Sequence, residues 1–291
     1  MKKVLIIGEN SYIGKSFESF VKNKSDIAVT LISSRNYFWK TFDFSGYDDV
    51  LYCAGIAHIK QKNKQKPLYY AINCDLTVDI AKKSKDSGIK QFIFLSSMAV
   101  YGTKNTKISK QTLPNPDKND FYGESKLKAE KELLKLSSDN FKLCIIRPPM
   151  VYGKNCKGNF QKLVKLIKNI PLFLIFPDYF NKRSMIYIDN LCYYILDLIK
   201  SKTPGNIFFP QNKDYVCTTE LVKKIAKNFD KRIITTKLFN PFISFFIKHI
   251  SFIKKLFGDL IYTSDDTPPN RDFIEFNETI SQTTNQSIKK V

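Results

Sequence analysis

The stretch Lys3-Val-Leu-Ile-Ile-Gly8-Glu-Asn-Ser11-Tyr-Ile-Gly14 decides the fold, because a β-branched strand passes through glycine directly into a helix. Strand and helix periods continue to alternate along the chain. We expect strands at 27–33, 50–54, 91–97 and 143–147, and helices at 12–22, 68–87 and 121–136. Such alternation predicts βαβ units and a parallel sheet. The expected fold class is therefore α/β, a Rossmann-type doubly wound parallel sheet.

The domain organisation follows from where this alternation loosens, which is after Tyr152. Residues 1–150 are predicted to form the dinucleotide-binding domain, with 184–217 returning to it. Residues 151–183 and 218–291 are predicted to form a smaller C-terminal lobe for substrate. Within that lobe the apolar stretch 170–177 is expected to be a loop.

Composition limits the partners and the compartment. The net charge is +20, but only five basic residues are arginine and the lysines are scattered, so we expect a solvated surface and no nucleic-acid partner. The six cysteines show no metal spacing, which predicts reduced thiols, no metal and a cytoplasmic protein. No apolar stretch reaches the ~20 residues needed to span a bilayer.

The glycine loop predicts a phosphate-binding turn. Glycines at its two ends let the backbone approach a pyrophosphate lying on the helix N-terminus. Ser11 replaces the usual middle glycine, and its hydroxyl could serve a phosphate. We assign cofactor binding to the loop members Gly8, Ser11, Tyr12, Ile13 and Gly14.

The end of the second strand indicates the type of dinucleotide. An acidic residue there binds the ribose hydroxyls of NAD, whereas an arginine accommodates the additional phosphate of NADP. This chain has Ser33-Ser-Arg35 and no acid. We therefore favour NADP(H), with NAD(H) as the alternative. The interpretation without a functional role is that Arg35 faces solvent and binds no ligand.

Tyr122-Gly-Glu-Ser-Lys126 places a phenol and an ammonium one helical turn apart on one face. An ammonium beside a phenol favours the phenolate and is expected to lower its pKa from ~10 toward neutrality. A serine at a nearby strand end, Ser97, can hydrogen-bond the oxygen that gains or loses the proton. These three residues are the predicted catalytic group.

The glycine loop, Ser97 and the Tyr122/Lys126 pair occur in an order that resembles the extended short-chain dehydrogenase/reductases, in their NAD-dependent epimerase/dehydratase branch. The resemblance covers about residues 1–200. Further matching stretches are Asp43-Phe44, Cys53-Ala-Gly-Ile-Ala57, Ala71-Ile-Asn73, Ser96-Ser-Met-Ala-Val-Tyr-Gly102, Arg147-Pro-Pro-Met-Val-Tyr-Gly153 and Arg183-Ser-Met-Ile-Tyr-Ile-Asp189.

The resemblance implies a role for each matching residue. Tyr122 would be the acid/base, Ser97 its hydrogen-bonding partner, and Lys126 would hold the nicotinamide ribose. Ser97 and Tyr122 would therefore also touch substrate. The remaining cofactor contacts would come from Asp43, Phe44, Ala54, Gly55, Ala57 and Asn73. Substrate diphosphate would be bound by Arg183, Asn159 and Arg271.

The resemblance also implies the activity, a nucleotide-sugar oxidoreductase of surface polysaccharide synthesis. The preferred reaction is 4-reduction of a UDP-4-keto-6-deoxy-N-acetylhexosamine. The alternative is a UDP-hexose or UDP-N-acetylhexosamine 4-epimerase with retained NAD, against which Pro149 stands where UDP-galactose 4-epimerases carry asparagine. A non-catalytic dinucleotide-binding regulator is the remote alternative.

The segment 239–257 is apolar and aromatic, interrupted by lysines. We favour a cap of apolar helices over the substrate cleft above a membrane-surface helix, and do not expect membrane association. The resemblance also implies a possible homodimer.

Overall fold

The structure, a computed structural model, describes residues 1–57, 63–170, 173–201, 206–263 and 273–284. It divides into two compact units, unit 1 with Met1–Gly102, Leu113–Pro148 and Leu191–Pro210, and unit 2 with Thr103–Thr112, Pro149–Asn190 and Gln211–Val291. The strands are β1 Lys2–Ile7, β2 Ile27–Ile32, β3 Asp49–Tyr52, β4 Gln91–Leu95, β5 Lys107–Ile108, β6 Lys142–Ile146, β7 Met150–Tyr152, β8 Phe173–Pro177, β9 Met185–Tyr187, β10 Ile207–Phe208, β11 Arg232–Thr236 and β12 Ile261–Tyr262. The helices are α1 Tyr12–Val21, α2 Phe38–Thr41, α3 Lys66–Tyr70, α4 Leu76–Asp86, α5 Phe121–Leu134, α6 Asn159–Asn169, α7 Ile188–Lys200, α8 Thr218–Lys227, α9 Asn240–His249, α10 Ser251–Phe257 and α11 Phe276–Thr284.

Unit 1 is built on a six-stranded sheet in the order β10-β6-β4-β3-β1-β2. Every neighbouring pair is parallel. The chain leaves β1 for β2 on one side and returns with β3 on the other, so the order reverses at β1. Ligands of open parallel sheets bind at the carboxyl ends of the strands beside such a reversal. The predicted Rossmann-type α/β fold is confirmed.

The core explains why these segments are strands. Parallel strands covered on both faces are apolar throughout, and in β4 all five residues are buried. Tyr52 of β3 stacks on Phe92 and packs against Phe94, both of β4, with ring centroids 5.8 and 6.1 Å apart. This packing fixes the sheet whose carboxyl edge carries the predicted site.

Unit 2 departs from the prediction in two places. The stretch 170–177 contains β8, which pairs in parallel with β11, so the expectation of a loop there was wrong over 173–177. β9 pairs with β7 inside unit 2, and the returning segment within unit 1 is therefore Leu191–Pro210, shorter than the predicted 184–217.

Within the described part of the chain, no helix combines the length and apolarity needed to cross a membrane. The six cysteines carry free thiols. The same described residues contain no cluster of histidine, cysteine or carboxylate side chains able to hold a metal ion.

Candidate active site

The loop from β1 to α1 requires glycine at its first position. Gly8 has φ +120°, and a Cβ there would lie 2.9 Å from the Ala54 backbone nitrogen. At the other end of the loop, a Cβ added at Gly14 would lie 3.2 Å from Ile6 Cγ2. Ser11 caps α1 by accepting a 3.3 Å hydrogen bond from the Gly14 amide. The Ser11 hydroxyl oxygen is therefore the N-cap of α1, a role that was not predicted from the sequence.

Tyr12 and Ile13 form the first turn of α1 and are half-buried. Since they lie at the helix N-terminus beside the glycine turn, they are placed where the anion of a dinucleotide would bind.

The loop after β3 is held by Asn73, which is fully buried. Its Oδ1 accepts from the Ile56 amide at 2.8 Å, and its Nδ2 donates to the Ile56 carbonyl and to Ser125 Oγ, at 3.0 and 3.1 Å. Both amide donors are thereby used, so Asn73 fixes the backbone that carries Ala54, Gly55 and Ala57. Any contribution of Asn73 to cofactor binding is positional.

Ser96 and Ser97 follow β4 but have separate partners. The Ser96 hydroxyl donates to the Glu130 carboxylate, and both groups are buried. Ser97 Oγ accepts from the Ala99 amide at 3.1 Å, and Ser97 lies close enough to Tyr122 to lower the pKa of its phenol. The structure therefore brings Ser97, and not Ser96, to the phenol.

Tyr122 lies in the first turn of α5 and is half-buried. Burial raises the pKa of Tyr122 above its usual value, and the neighbouring Ser97 opposes that shift. The sequence-based expectation that Lys126 lowers this pKa is not met, because the groups that shift the pKa besides burial are Ser97, Asp120 and Tyr69. In this state the phenol is a proton donor to the site.

Lys126, one turn further along α5, is 4% exposed. Its Nζ donates to the Leu95 carbonyl at 2.8 Å and lies 4.6 Å from the centre of the Phe94 ring. Burial lowers the pKa of Lys126 to about 8, and the thiol of Cys53 and the carboxylate of Glu130 oppose that shift. An ammonium has three donors, so this buried cation retains capacity toward a ligand.

Gly55 provides the space beside that ammonium. It is exposed, with φ +157°, and a Cβ there would lie 3.0 Å from Asn73 Oδ1 and 3.4 Å from Lys126 Nζ. A glycine that leaves a buried ammonium accessible from an exposed loop fits the ribose of a dinucleotide. The residues present therefore fit the cofactor that the sequence predicts.

Behind the predicted catalytic group lies a buried ion pair. Arg147, at the end of β6, donates from Nε to Glu130 at 3.0 Å and also binds the second carboxylate oxygen and the Tyr101 hydroxyl. Arg147 and Glu130 are 4% and 1% exposed. The pair ties α5 to β6, and Ser96 adds β4 to the same network.

Glu130 was not predicted to have a role, although the sequence contains a signal for it. It lies four residues after Lys126, which itself lies four after Tyr122, so all three share one helix face. Also unforeseen was the single π-helical turn Ala71–Asp75, which contains Asn73. Such turns often occur at functional sites.

The residues predicted to contact the far end of the cofactor lie in the chain between β2 and β3. Arg35 is exposed three residues after β2. Asp43 is exposed and accepts from the Ser45 amide and hydroxyl, both at 2.9 Å, and these bonds lower its pKa. Phe44 is fully buried with Lys83 over its ring, so only its backbone is available to a ligand.

Two of the residues predicted to bind the substrate diphosphate, Arg183 and Asn159, lie in unit 2. Arg183 is half-buried, its backbone pairs with Val216, and its guanidinium donates to the Gly258 carbonyl at 3.0 Å. Burial lowers the pKa of Arg183, with Asp259 opposing the shift. Asn159 is exposed at the first position of α6. Arg271 lies outside the described residues.

Comparison with known proteins identifies the class. Residues 4–209 match the NAD dependent epimerase/dehydratase family. The chain belongs to this family, and it is an enzyme of the extended short-chain dehydrogenase/reductase type with a Rossmann fold. Its activity is of the NAD(P)-dependent epimerase/dehydratase kind, as the sequence analysis predicted.

Individual relatives narrow the comparison. The chain is 33% identical over 254 residues to a UDP-glucose 4-epimerase of Vibrio cholerae, covering 79% of this chain and 76% of the relative. It is 28% identical to an N-acetyl-α-D-glucosaminyl-diphospho-ditrans,octacis-undecaprenol 4-epimerase of Escherichia coli O157:H7, covering 68% and 59%. Among solved structures, the UDP-glucuronic acid 4-epimerase of Bacillus cereus with UDP-glucuronic acid and NAD has a TM-score of 0.73 at 19% identity, covering 97% and 98%. That level of identity supports the fold alone.

Proposed function

We propose that this protein is a sugar 4-epimerase that acts on a nucleoside-diphosphate-linked hexose or N-acetylhexosamine, with UDP as the nucleotide. The observation that carries the proposal is the placement of Tyr122 beside Ser97, one helical turn from the buried Lys126. The 33% identical relative, which is named as a UDP-glucose 4-epimerase, supports the choice of reaction.

Each residue of the group would have one task. A bound nicotinamide would supply the hydride exchange at C4. Tyr122 would hold the proton that moves between its phenol oxygen and the C4 oxygen, and Ser97 would hydrogen-bond that same oxygen. Lys126 would position the cofactor ribose with the ammonium donors that Leu95 leaves available. Proton transfer by a placed side chain typically contributes ~10²–10⁴-fold.

The 4-reductase remains the second candidate, because Arg35 favours it. Its guanidinium is exposed just beyond β2, where the chain has no acid to bind the hydroxyls of NAD. A reductase consumes a dissociable dinucleotide in every turnover, often NADPH, whereas an epimerase regenerates the one it retains. Pro149, in place of the asparagine of galactose epimerases, also favours this candidate.

The diphosphate of the substrate would bind to Arg183, with Asn159 and Arg271 as further proposed contacts. A sugar 1-diphosphate is common to UDP-sugars and to diphospho-polyprenol sugars, on which the Escherichia coli relative acts by its name. Arg183→Ala should raise KM for either carrier while leaving cofactor affinity unchanged. Assays with UDP-N-acetylglucosamine and with its undecaprenyl diphosphate counterpart separate the carriers.

The deciding experiment uses purified protein without added cofactor. Native mass spectrometry should show bound NAD⁺, and incubation with UDP-glucose or UDP-N-acetylglucosamine should yield the 4-epimer. NADPH consumption with a UDP-4-keto-6-deoxy sugar, and no epimer formation, would establish the reductase. No redox chemistry on any sugar diphosphate would refute both proposals.

A further inference from the structure

Helix α9 turns its aromatic side chains toward solvent. Phe242, Phe245 and Phe246 are 63, 61 and 38% exposed, and their i, i+3, i+4 spacing places them on one face. Ile243 and Ile247 are half-buried on the other side of the helix, and none of the ten residues of α9 is buried. The helix therefore rests on its isoleucines and exposes its phenylalanines.

The exposed rings belong to a larger concentration of apolar surface. In the described part of the chain 17 large apolar side chains are exposed, and six of them fall within residues 238–250. These six are Leu238, Phe239, Phe242, Phe245, Phe246 and Ile250, which we call the aromatic surface. Exposed apolar side chains scattered singly need no explanation, whereas such a concentration marks an interaction site.

Along the segment that carries the aromatic surface, the charged residues have one sign. From Lys231 to Gly258 the sequence contains six lysines and arginines and no acidic residue. Lys237, Lys248 and Lys255 are exposed, so cations flank the phenylalanines at both ends of α9. Aromatic residues between lysines are typical of helices that lie in the interface of an anionic bilayer.

The segment also has a firm attachment to unit 2. Phe257, at the end of α10, is buried, with its ring centroid 5.7 Å from that of Phe176 and 5.8 Å from that of Tyr179. Asn240, at the start of α9, donates to the Asp178 carbonyl at 2.9 Å. Both ends are therefore held, and α9 presents a preformed face that costs little ordering on binding.

We propose that the aromatic surface, with Lys237, Lys248 and Lys255, docks unit 2 on an anionic lipid bilayer. The phenylalanine rings enter the headgroup region while the lysines contact lipid phosphates. A segment that is aromatic, cationic and without acidic residues of its own matches this partner in both polarity and charge. Docking of this kind needs no spanning helix and is independent of which sugar the enzyme converts.

Vesicle co-sedimentation tests the proposal with the full chain. Wild type should sediment with phosphatidylcholine vesicles that contain phosphatidylglycerol, and markedly less with phosphatidylcholine alone. The triple variant F242S/F245S/F246S should bind at least about tenfold more weakly. The matched control L68S/L113S/L134S removes three exposed leucines outside the segment and should bind within about twofold of wild type. Far-UV circular dichroism checks that both variants remain folded.

Changing the charge of the surface provides an independent test of the proposal. K248E/K255E should abolish the preference for anionic vesicles, and raising salt should weaken wild-type binding. Failure of wild type to sediment with anionic vesicles would overturn the proposal, as would equal binding by the serine and wild-type proteins. If the serine variant instead converts a dimer to a monomer in light scattering while wild type ignores vesicles, the surface joins two copies and the bilayer proposal is wrong.

Discussion

Replacing Lys126 by methionine should change how stability depends on pH. Lys126 is 4% exposed, and burial lowers its pKa to about 8 from an ordinary 10.5. Burying the charged ammonium therefore lowers the stability of the native state. This is expected where function needs a charge that folding disfavours. Methionine has a similar length, fills the same space and cannot titrate.

The direction follows from proton linkage. Between about pH 8 and about pH 10.5 the unfolded chain keeps a proton on this lysine that the native protein has lost, so rising pH favours the native state. A pKa that falls from 10.5 to about 8 corresponds to about 3 kcal/mol. Most of this, about 2–3 kcal/mol, should be regained between about pH 7 and about pH 10.

Urea unfolding of the cofactor-free proteins measures this difference. Trp39, the single tryptophan, is 5% exposed in the unit 1 core and reports on that unit. The free energy of unfolding of wild type minus that of K126M should rise by about 2–3 kcal/mol between about pH 7 and about pH 10. K128M, at an exposed lysine of the same helix, is the control and should show a flat difference. A flat difference for K126M as well would refute the buried, destabilised ammonium.

The neighbouring groups give three further predictions. Ser97→Ala should lower kcat by about 10²-fold or more and cost only about 1 kcal/mol of unfolding free energy, through the lost bond from the Ala99 amide. Ser96→Ala should cost about 1–3 kcal/mol of unfolding free energy with little change in kcat. A large loss of kcat for Ser96→Ala and none for Ser97→Ala would exchange their roles. Glu130→Gln leaves the Arg147 charge unpaired and should cost about 3–5 kcal/mol in the same unfolding assay, so a loss below about 1 kcal/mol would contradict a buried ion pair. Arg35→Asp should shift the kcat/KM ratio for NADPH over NADH toward NADH by at least about tenfold, or ~1.4 kcal/mol, and an unchanged ratio would show that Arg35 does not read the cofactor.

The sheet and its carboxyl edge could be predicted because both depend on local patterns. Apolar runs ending in Gly8, Cys53 and Ser97 identify parallel strands and the positions where they stop. The Tyr122/Lys126 spacing identifies one helix face without knowledge of tertiary structure. Local patterns could not separate Ser96 from Ser97, because both serines stand at the end of the same predicted strand. The choice of Ser97 depended on the family resemblance.

The remaining features depend on long-range contacts. β8 pairs with β11, nearly sixty residues later in the chain (Phe173 with Arg232). No local sequence pattern predicts this pairing. Lys126 was expected to act on Tyr122, but its ammonium binds the Leu95 carbonyl, a contact across 31 residues. The apolar character of α9 indicated burial, whereas the fold leaves its phenylalanines exposed.

The most direct test of the central claim is single-site replacement of the phenol by phenylalanine at Tyr122. Removing only the hydroxyl leaves the ring and α5 in place, so NAD(P)H affinity measured by fluorescence titration should be unchanged. Turnover of the sugar diphosphate should fall by about 10²–10⁴-fold. Turnover within about twofold of wild type would show that another group moves the proton and would contradict the account.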